Sequence, residues 1–286
     1  MRWKGWIILG LLPLIVACSA VRLTYNQGPT LAYWWLDGYA DFTAEQSPRV
    51  KAALDAWFVW HRATQLTDYA QALAALQTQI VDKVTPAQVC GQLQDWQQRI
   101  ERAFEQALPA IAEQVQGLSP AQLQRIEARQ KKKQQDAEED FLQDDPADRQ
   151  KATQKRWVDR AETLYGTLNS TQRQWLATEL ASSPFKPELW AAERRLRQQD
   201  ITLGLRQWQA GRPEPIAVQA GLRRLALGSL QSPRRDYQAY ADALAQANCT
   251  LTAGLHNSTT PAQRQHAVGT LKGWEGDLRA LAAQRQ

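Results

Sequence analysis

The chain has 286 residues, 44% of them apolar and 22% charged, with 34 basic against 29 acidic side chains and a formal charge of +5. So even a balance lacks the concentrated basic face that marks nucleic-acid binding. No Gly-x-Ser-x-Gly, phosphate-binding loop or dinucleotide fingerprint occurs, and His61, His256 and His266 sit in no His-x-x-x-His or Cys-x-x-Cys setting, so neither a cofactor nor a metal site is expected.

The first residues form a processing segment rather than part of the fold. Arg2 and Lys4 give a basic start, and Trp6 to Val16 an apolar run too short to cross a bilayer. Ile15-Val16-Ala17-Cys18 ends that run on a small residue and a cysteine, and resembles the lipobox of bacterial lipoproteins. The resemblance implies removal of residues 1–17 and acylation of Cys18, on its thiol with diacylglycerol and on its new amino group with a fatty acid such as palmitate. Ser19 stands where aspartate would favour inner-membrane retention in enteric bacteria. This implies the periplasmic face of the outer membrane, with the inner membrane as the alternative. Losing Arg2 and Lys4 brings the formal charge to about +3, and roughly 268 residues remain, enough for one good core in one or two domains.

Residues 18–30 carry Thr24, Asn26, Gln27, Gly28 and Pro29 and read as a short extended tether; residues 31–286 read as one all-helical domain. Glycine and proline fall at segment edges, strong helix formers dominate between them, and alternating β-branched runs are missing. The spacing predicts helices at about 49–66, 67–83, 85–116, 119–142, 146–167, 169–182, 187–210, 214–230, 233–253 and 260–285. These are about ten amphipathic helices, expected to form an elongated bundle. In the clearest, Val89, Leu93, Trp96, Ile100, Phe104, Leu108, Ile111 and Val115 make one apolar stripe, with Pro109 inside it as an expected kink. From Glu127 to Asp140 only Ala128 and Ala137 are apolar. A helix polar all round is expected to project into solvent, as a solvated hairpin tip or as a face for a partner or lipid head groups. With Cys18 acylated, Cys90 and Cys249 remain as an even pair; an envelope address favours a disulfide between them over two buried thiols.

Four predicted helices start alike, at Thr85-Pro86-Ala87-Gln88, Ser119-Pro120-Ala121-Gln122, Asn169-Ser170-Thr171-Gln172 and Thr260-Pro261-Ala262-Gln263. The cap oxygen accepts from an orphan N–H, glutamine three residues on reaches back to the cap amide, and proline at the first helical position loses no bond. Unequal spacing between the starts argues against a stacked solenoid. The pattern is similar to the paired motif of the Spy and CpxP periplasmic proteins, which implies a cradle-shaped helical chaperone. Along the chain, Val21-Arg22-Leu23-x-Tyr25-Asn26, Trp34-Trp35-Leu36-Asp37-Gly38-Tyr39, Trp57-x-x-Trp60-His61 and Tyr165-Gly166-x-Leu168-Asn169-x-x-Gln172 follow the lipobox. That order looks like an uncharacterised family of proteobacterial lipoproteins, domain of unknown function 6279. The resemblance implies location and fold type but no activity.

Candidate binding residues follow. Trp34, Trp35, Trp57, Trp60 and His61 are dense enough to line a groove for peptides, glycans or acyl chains, or to form core; one of the adjacent pair Trp34 and Trp35 suits a membrane interface. Arg194 and Arg197, in the run Arg194-Arg195-Leu196-Arg197 near Trp190, suit anionic lipid or acidic clients, or a solvated face. Asp37 and Asp41 are the best-placed acid pair for glycan hydrolysis, with capping or surface roles as the simpler account. The expected function is a lipid-anchored, non-catalytic helical binding protein of the envelope, chaperone-like toward unfolded polypeptides. The alternatives are an assembly component of an envelope complex and, last, an enzyme acting on cell-wall or lipid substrates.

Overall fold

A computed structural model describes residues 20–284; the signal segment, Cys18 and Ser19 lie outside the described residues. Among those residues the chain is all-α, with twelve helices and no strand: α1 (Ala20–Asn26), α2 (Gly28–Ala40), α3 (Gln46–Thr64), α4 (Leu66–Gln79), α5 (Pro86–Gln116), α6 (Pro120–Phe141), α7 (Pro146–Tyr165), α8 (Ser170–Ala181), α9 (Pro187–Gly211), α10 (Pro215–Leu230), α11 (Arg235–Asn257) and α12 (Pro261–Ala283). The predicted helices are all present, with two more ahead of them.

Those two correct the expected tether. Pro29 opens α2 instead of ending an extended arm, because proline fits the first turn of a helix. The α1 helix is docked: Arg22 pairs with Asp277 of α12 at 3.2 Å, and Asn26 accepts from Arg62 at 2.9 Å. Arg62 also donates to the Leu281 carbonyl, so the two ends of the described chain are fastened together.

Burial divides into two clusters. One gathers Leu73, Val158, Tyr165, Leu176, Leu255 and Leu271 from α4, α7, α8, α11 and α12. The other gathers Ala40, Ala112, Val115, Leu123, Leu205 and Val218 from α2, α5, α6, α9 and α10. Helix α5 joins them: its 31 residues span about 46 Å. Trp96 packs on the first cluster, and Ala112 and Val115 lie in the second. Pro109 sits inside α5 without ending it. The disulfide Cys90–Cys249, with Cα atoms 5.5 Å apart, ties the start of α5 to α11.

The capping boxes form at all four starts that the sequence singles out. A fifth pair, Thr43 and Gln46, bonds in the same way ahead of α3: Gln46 N–H donates to Thr43 Oγ1 (3.2 Å) and Thr43 N–H to Gln46 Oε1 (3.0 Å). These glutamines then pair in space. Gln46 faces Gln122, and Gln172 faces Gln263, each amide donating to the other's oxygen. Each Nε2 also donates to the carbonyl two residues before its partner's cap: Gly117, Asp41, Ser258 and Thr167. One joint sits at each buried cluster and locks two helix starts against each other.

Candidate binding surfaces

Trp57, Trp60 and His61 come together, but in a packed cluster. The Trp57 ring stacks on His61 at 4.6 Å, and its Nε1 donates to the Ala103 carbonyl of α5 at 2.9 Å. His61 also meets the edge of Tyr69, and Tyr69 meets Trp96. Tyr25 Oη lies 2.8 Å from His61 Nδ1. Burial pushes the Tyr25 phenol up to about 12, so its hydroxyl keeps its proton and donates, leaving His61 as acceptor. Burial likewise lowers His61 to about 4. Here aromatic residues hold α1, α3, α4 and α5 together.

Trp34 and Trp35 behave differently. They are 64% and 63% exposed on α2, with Leu23 and Leu31 exposed nearby. The opposite side of α2 is held by Tyr33, which donates to Ser47 at 2.9 Å, and by Asp37, which accepts the Phe42 N–H at 2.9 Å. Asp37 is thus a capping group, and Asp41 pairs with Arg125 at 2.9 Å.

The segment expected to project is the middle of α6, and it lies against α9. Glu127 takes Arg206 with both oxygens (2.6 Å each), Glu138 takes Arg195 (2.6 Å), and Thr202 donates to Gln130 (3.0 Å). Gln134, only 5% exposed, donates to the Ala191 carbonyl. One side of a polar helix packs here because its neighbour supplies complementary charges, while Arg129, Lys131, Lys132, Gln135 and Glu139 stay exposed on the other. A polar cleft of about 640 Å³ remains between the two helices.

Arg194 lies 5.8 Å over the Trp190 ring. Arg197 is committed: it pairs at 3.0 Å with Glu193, whose side chain is 2% exposed and also receives Arg234 (3.1 Å) and Ser232 (2.8 Å). The chain runs from α10 into α11 through this ionic knot.

The open apolar surface lies between α5, α9 and α10. Two adjoining cavities of about 800 and 700 Å³ share Glu101, Arg223, Leu227 and Leu230. Four large side chains stand exposed along them, Ile100 at 63%, Leu203 at 56%, Leu227 at 48% and Leu230 at 49%. Ile100 belongs to the apolar stripe of α5; that stripe is buried only at its far end, at Leu108 and Val115. Trp208 forms the floor, seated on Gly221, where an added Cβ would lie 2.3 Å from the indole. The rim is charged: Glu105 takes Arg223 with both oxygens at 2.6 Å, and Arg102, Arg197 and Arg224 stand beside them. Among the expected binding residues only Arg197 reaches this groove. Its other members carry ordinary helix-stripe letters, and only their neighbours in space leave them uncovered.

Among the described residues no group of three or more His, Cys, Asp or Glu is placed to hold a metal, and no helix is long and apolar enough to cross a membrane. A family model described as a family of unknown function, DUF6279, matches residues 38–219. No curated protein and no solved structure matches the chain.

Proposed function

The chain belongs to the family of unknown function DUF6279, and we propose that it is a lipid-anchored envelope protein whose non-catalytic helical body holds unfolded polypeptide segments in the groove between α5, α9 and α10. The exposure of Ile100, Leu203, Leu227 and Leu230 carries this reading. Monomeric proteins rarely leave contiguous apolar surface open without a use for it. A long groove with an apolar floor and a rim of both charges suits a segment recognised by hydrophobicity rather than by sequence.

The anchor rests on Arg2, Lys4, the apolar run and Cys18. The exposed Trp34 and Trp35, soon after Cys18 in the chain, support it, since indoles favour the boundary between lipid and water. On this reading α2 faces the outer membrane from the periplasm. Replacing Cys18 by serine should remove the acyl mass from the protein and release it from the membrane fraction.

The test of binding is direct. Protein secreted without its lipid should suppress aggregation of a chemically unfolded client at a near-stoichiometric ratio. If it does not, the chaperone reading fails. The assembly alternative relied on a projection at 127–140; α9 packs on one side of that segment and leaves the other exposed, so no free-standing projection supports it. The hydrolase alternative relied on Asp37 and Asp41, which are engaged in capping and in an ion pair.

A further inference from the structure

A second concavity, sharing no lining residue with the groove, lies between the α6–α7 turn, the first turn of α9 and α11. We propose that it binds a single-chain amphiphile with an anionic head group. Its volume, about 480 Å³, falls within the range of small-ligand sites. Its apolar wall is aromatic: the Phe141 ring lies 4.7 Å from Trp190 and 6.3 Å from Phe185. Trp157 and Leu180 form the base and pack on the first buried cluster.

A second wall, on α7, is cationic and meets the aromatic one where Arg156 stacks on Phe141. Arg149, Arg156 and Arg160 come from one face of α7, and no aspartate or glutamate lines the cavity. Arg149 is held from outside by Glu188. Among the described residues the other two have no ion-pair partner. Arg156 lies 4.1 Å over Phe141 and donates to the Asp140 carbonyl at 3.0 Å and to Thr153 Oγ1 at 2.9 Å. Arg160 makes no hydrogen bond or ion pair among the described residues. Burial chiefly pulls the Arg156 guanidinium below its usual range; the nearby Asp140 carboxylate opposes this, and repulsion from Arg160 adds to the lowering to a smaller extent.

Two neighbouring guanidinium groups, neither in an ion pair among the described residues and one of them stacked on Phe141, complement a molecule that brings its own negative charge on an apolar stem. Arginine forks favour carboxylate and phosphate alike. The head is therefore either carboxylate, as in a free fatty acid, or phosphate monoester, as in a lysophospholipid.

Residues 20–284 pack among themselves into both buried clusters, so protein secreted without its lipid keeps the site. Titration calorimetry with monomeric dodecanoate and dodecyl phosphate should give one ligand per chain, the tighter of the two identifying the head. Exposed Arg160 changed to Gln should weaken binding about tenfold, and Arg156→Gln with it about a hundredfold, as expected for lost bonds to charged groups. Phe185→Ala should weaken it without altering the preference between heads. Failure of both probes to bind, equal binding of dodecyl maltoside (an apolar surface only), equal binding of inorganic phosphate (an adventitious ion only), or unchanged affinity in Arg160→Gln would each overturn the proposal. Client holding in the groove is untouched by any of these results.

Discussion

Gln172 and Gln263 exchange amide hydrogen bonds across the meeting point of α8 and α12, at 2.8 and 3.0 Å, while each oxygen also accepts from its own cap N–H at 2.9 Å. Each side chain therefore closes its own helix and fastens its partner's. Gln46 and Gln122 repeat the arrangement at the other buried cluster. Gln88 forms the same cap on α5, but no such partner faces it.

The contrast sets the first prediction. Gln172→Ala strands a partner amide in a site where Gln172 is 3% exposed, and should cost about 1–3 kcal/mol in urea unfolding. Gln88→Ala loses only a reciprocal cap, costing about 1 kcal/mol or less. A double-mutant cycle of Gln172 and Gln263 should show a coupling of about 0.5–3 kcal/mol. Equal losses at positions 88 and 172 would mean that pairing adds nothing to capping.

Capping chemistry is local, and so the sequence displayed it. Thr43-Ala44-Glu45-Gln46 has the same cap and glutamine spacing but lacks the proline that marks three of the other four. Which glutamines meet depends on tertiary packing, and no letter records that. The same limit explains α6, whose polarity reads as exposure until Arg195, Arg206 and Thr202 of α9 are placed beside it. It also explains the groove: the stripe on α5 fixes one helix face, yet only the position of α10 determines that Ile100 stays open while Val115 is covered. From the sequence, one of the adjacent pair Trp34 and Trp35 suits a membrane interface; α2 exposes both.

Acid should weaken the fold through its histidines. His61 holds a proton only below about pH 4 when folded, against an ordinary value of 6.5. His256 is shifted the same way, chiefly by burial, between Tyr165 and the Asp82 carbonyl. Between pH 6.5 and 4 the unfolded chain therefore binds more protons, and stability falls as pH falls. The His61 part has a ceiling of about 3 kcal/mol. Melting temperatures measured across that window should drop, and His61→Phe should make the drop shallower. An unchanged slope in that variant would remove His61 from the account.

Reduction should weaken it as well. The bond between Cys90 and Cys249 spans 159 positions, and opening a loop of that length releases about 2–5 kcal/mol of constraint on the unfolded chain. Cys90→Ser with Cys249→Ser should lower the unfolding free energy measured in urea by that amount with helical content retained. Labelling of both thiols in protein never exposed to reductant would show that the bond does not form.

The groove floor depends on the smallest side chain. An added Cβ at Gly221 would lie 2.3 Å from Trp208 Cζ2. Gly221→Ala should therefore cost about 1–3 kcal/mol by overpacking, despite alanine's better helix propensity. Gly269→Ala on α12, where an added Cβ meets nothing within 4 Å, should be neutral or stabilising. A stabilised Gly221→Ala would mean that α9 and α10 do not approach as described.

The central claim is that clients lie between α5, α9 and α10. It is tested most directly by the affinity of the lipid-free protein for a permanently unfolded, carboxymethylated client, read by fluorescence anisotropy. Leu203→Glu with Leu227→Glu puts two charges into the groove at exposed positions and should weaken binding at least tenfold while leaving the melting temperature nearly unchanged. Trp34→Ser with Trp35→Ser, on α2, should leave the affinity as it was. If the groove variant binds as tightly as the parent, or the α2 variant is the one that loses binding, clients are held elsewhere and the account is contradicted.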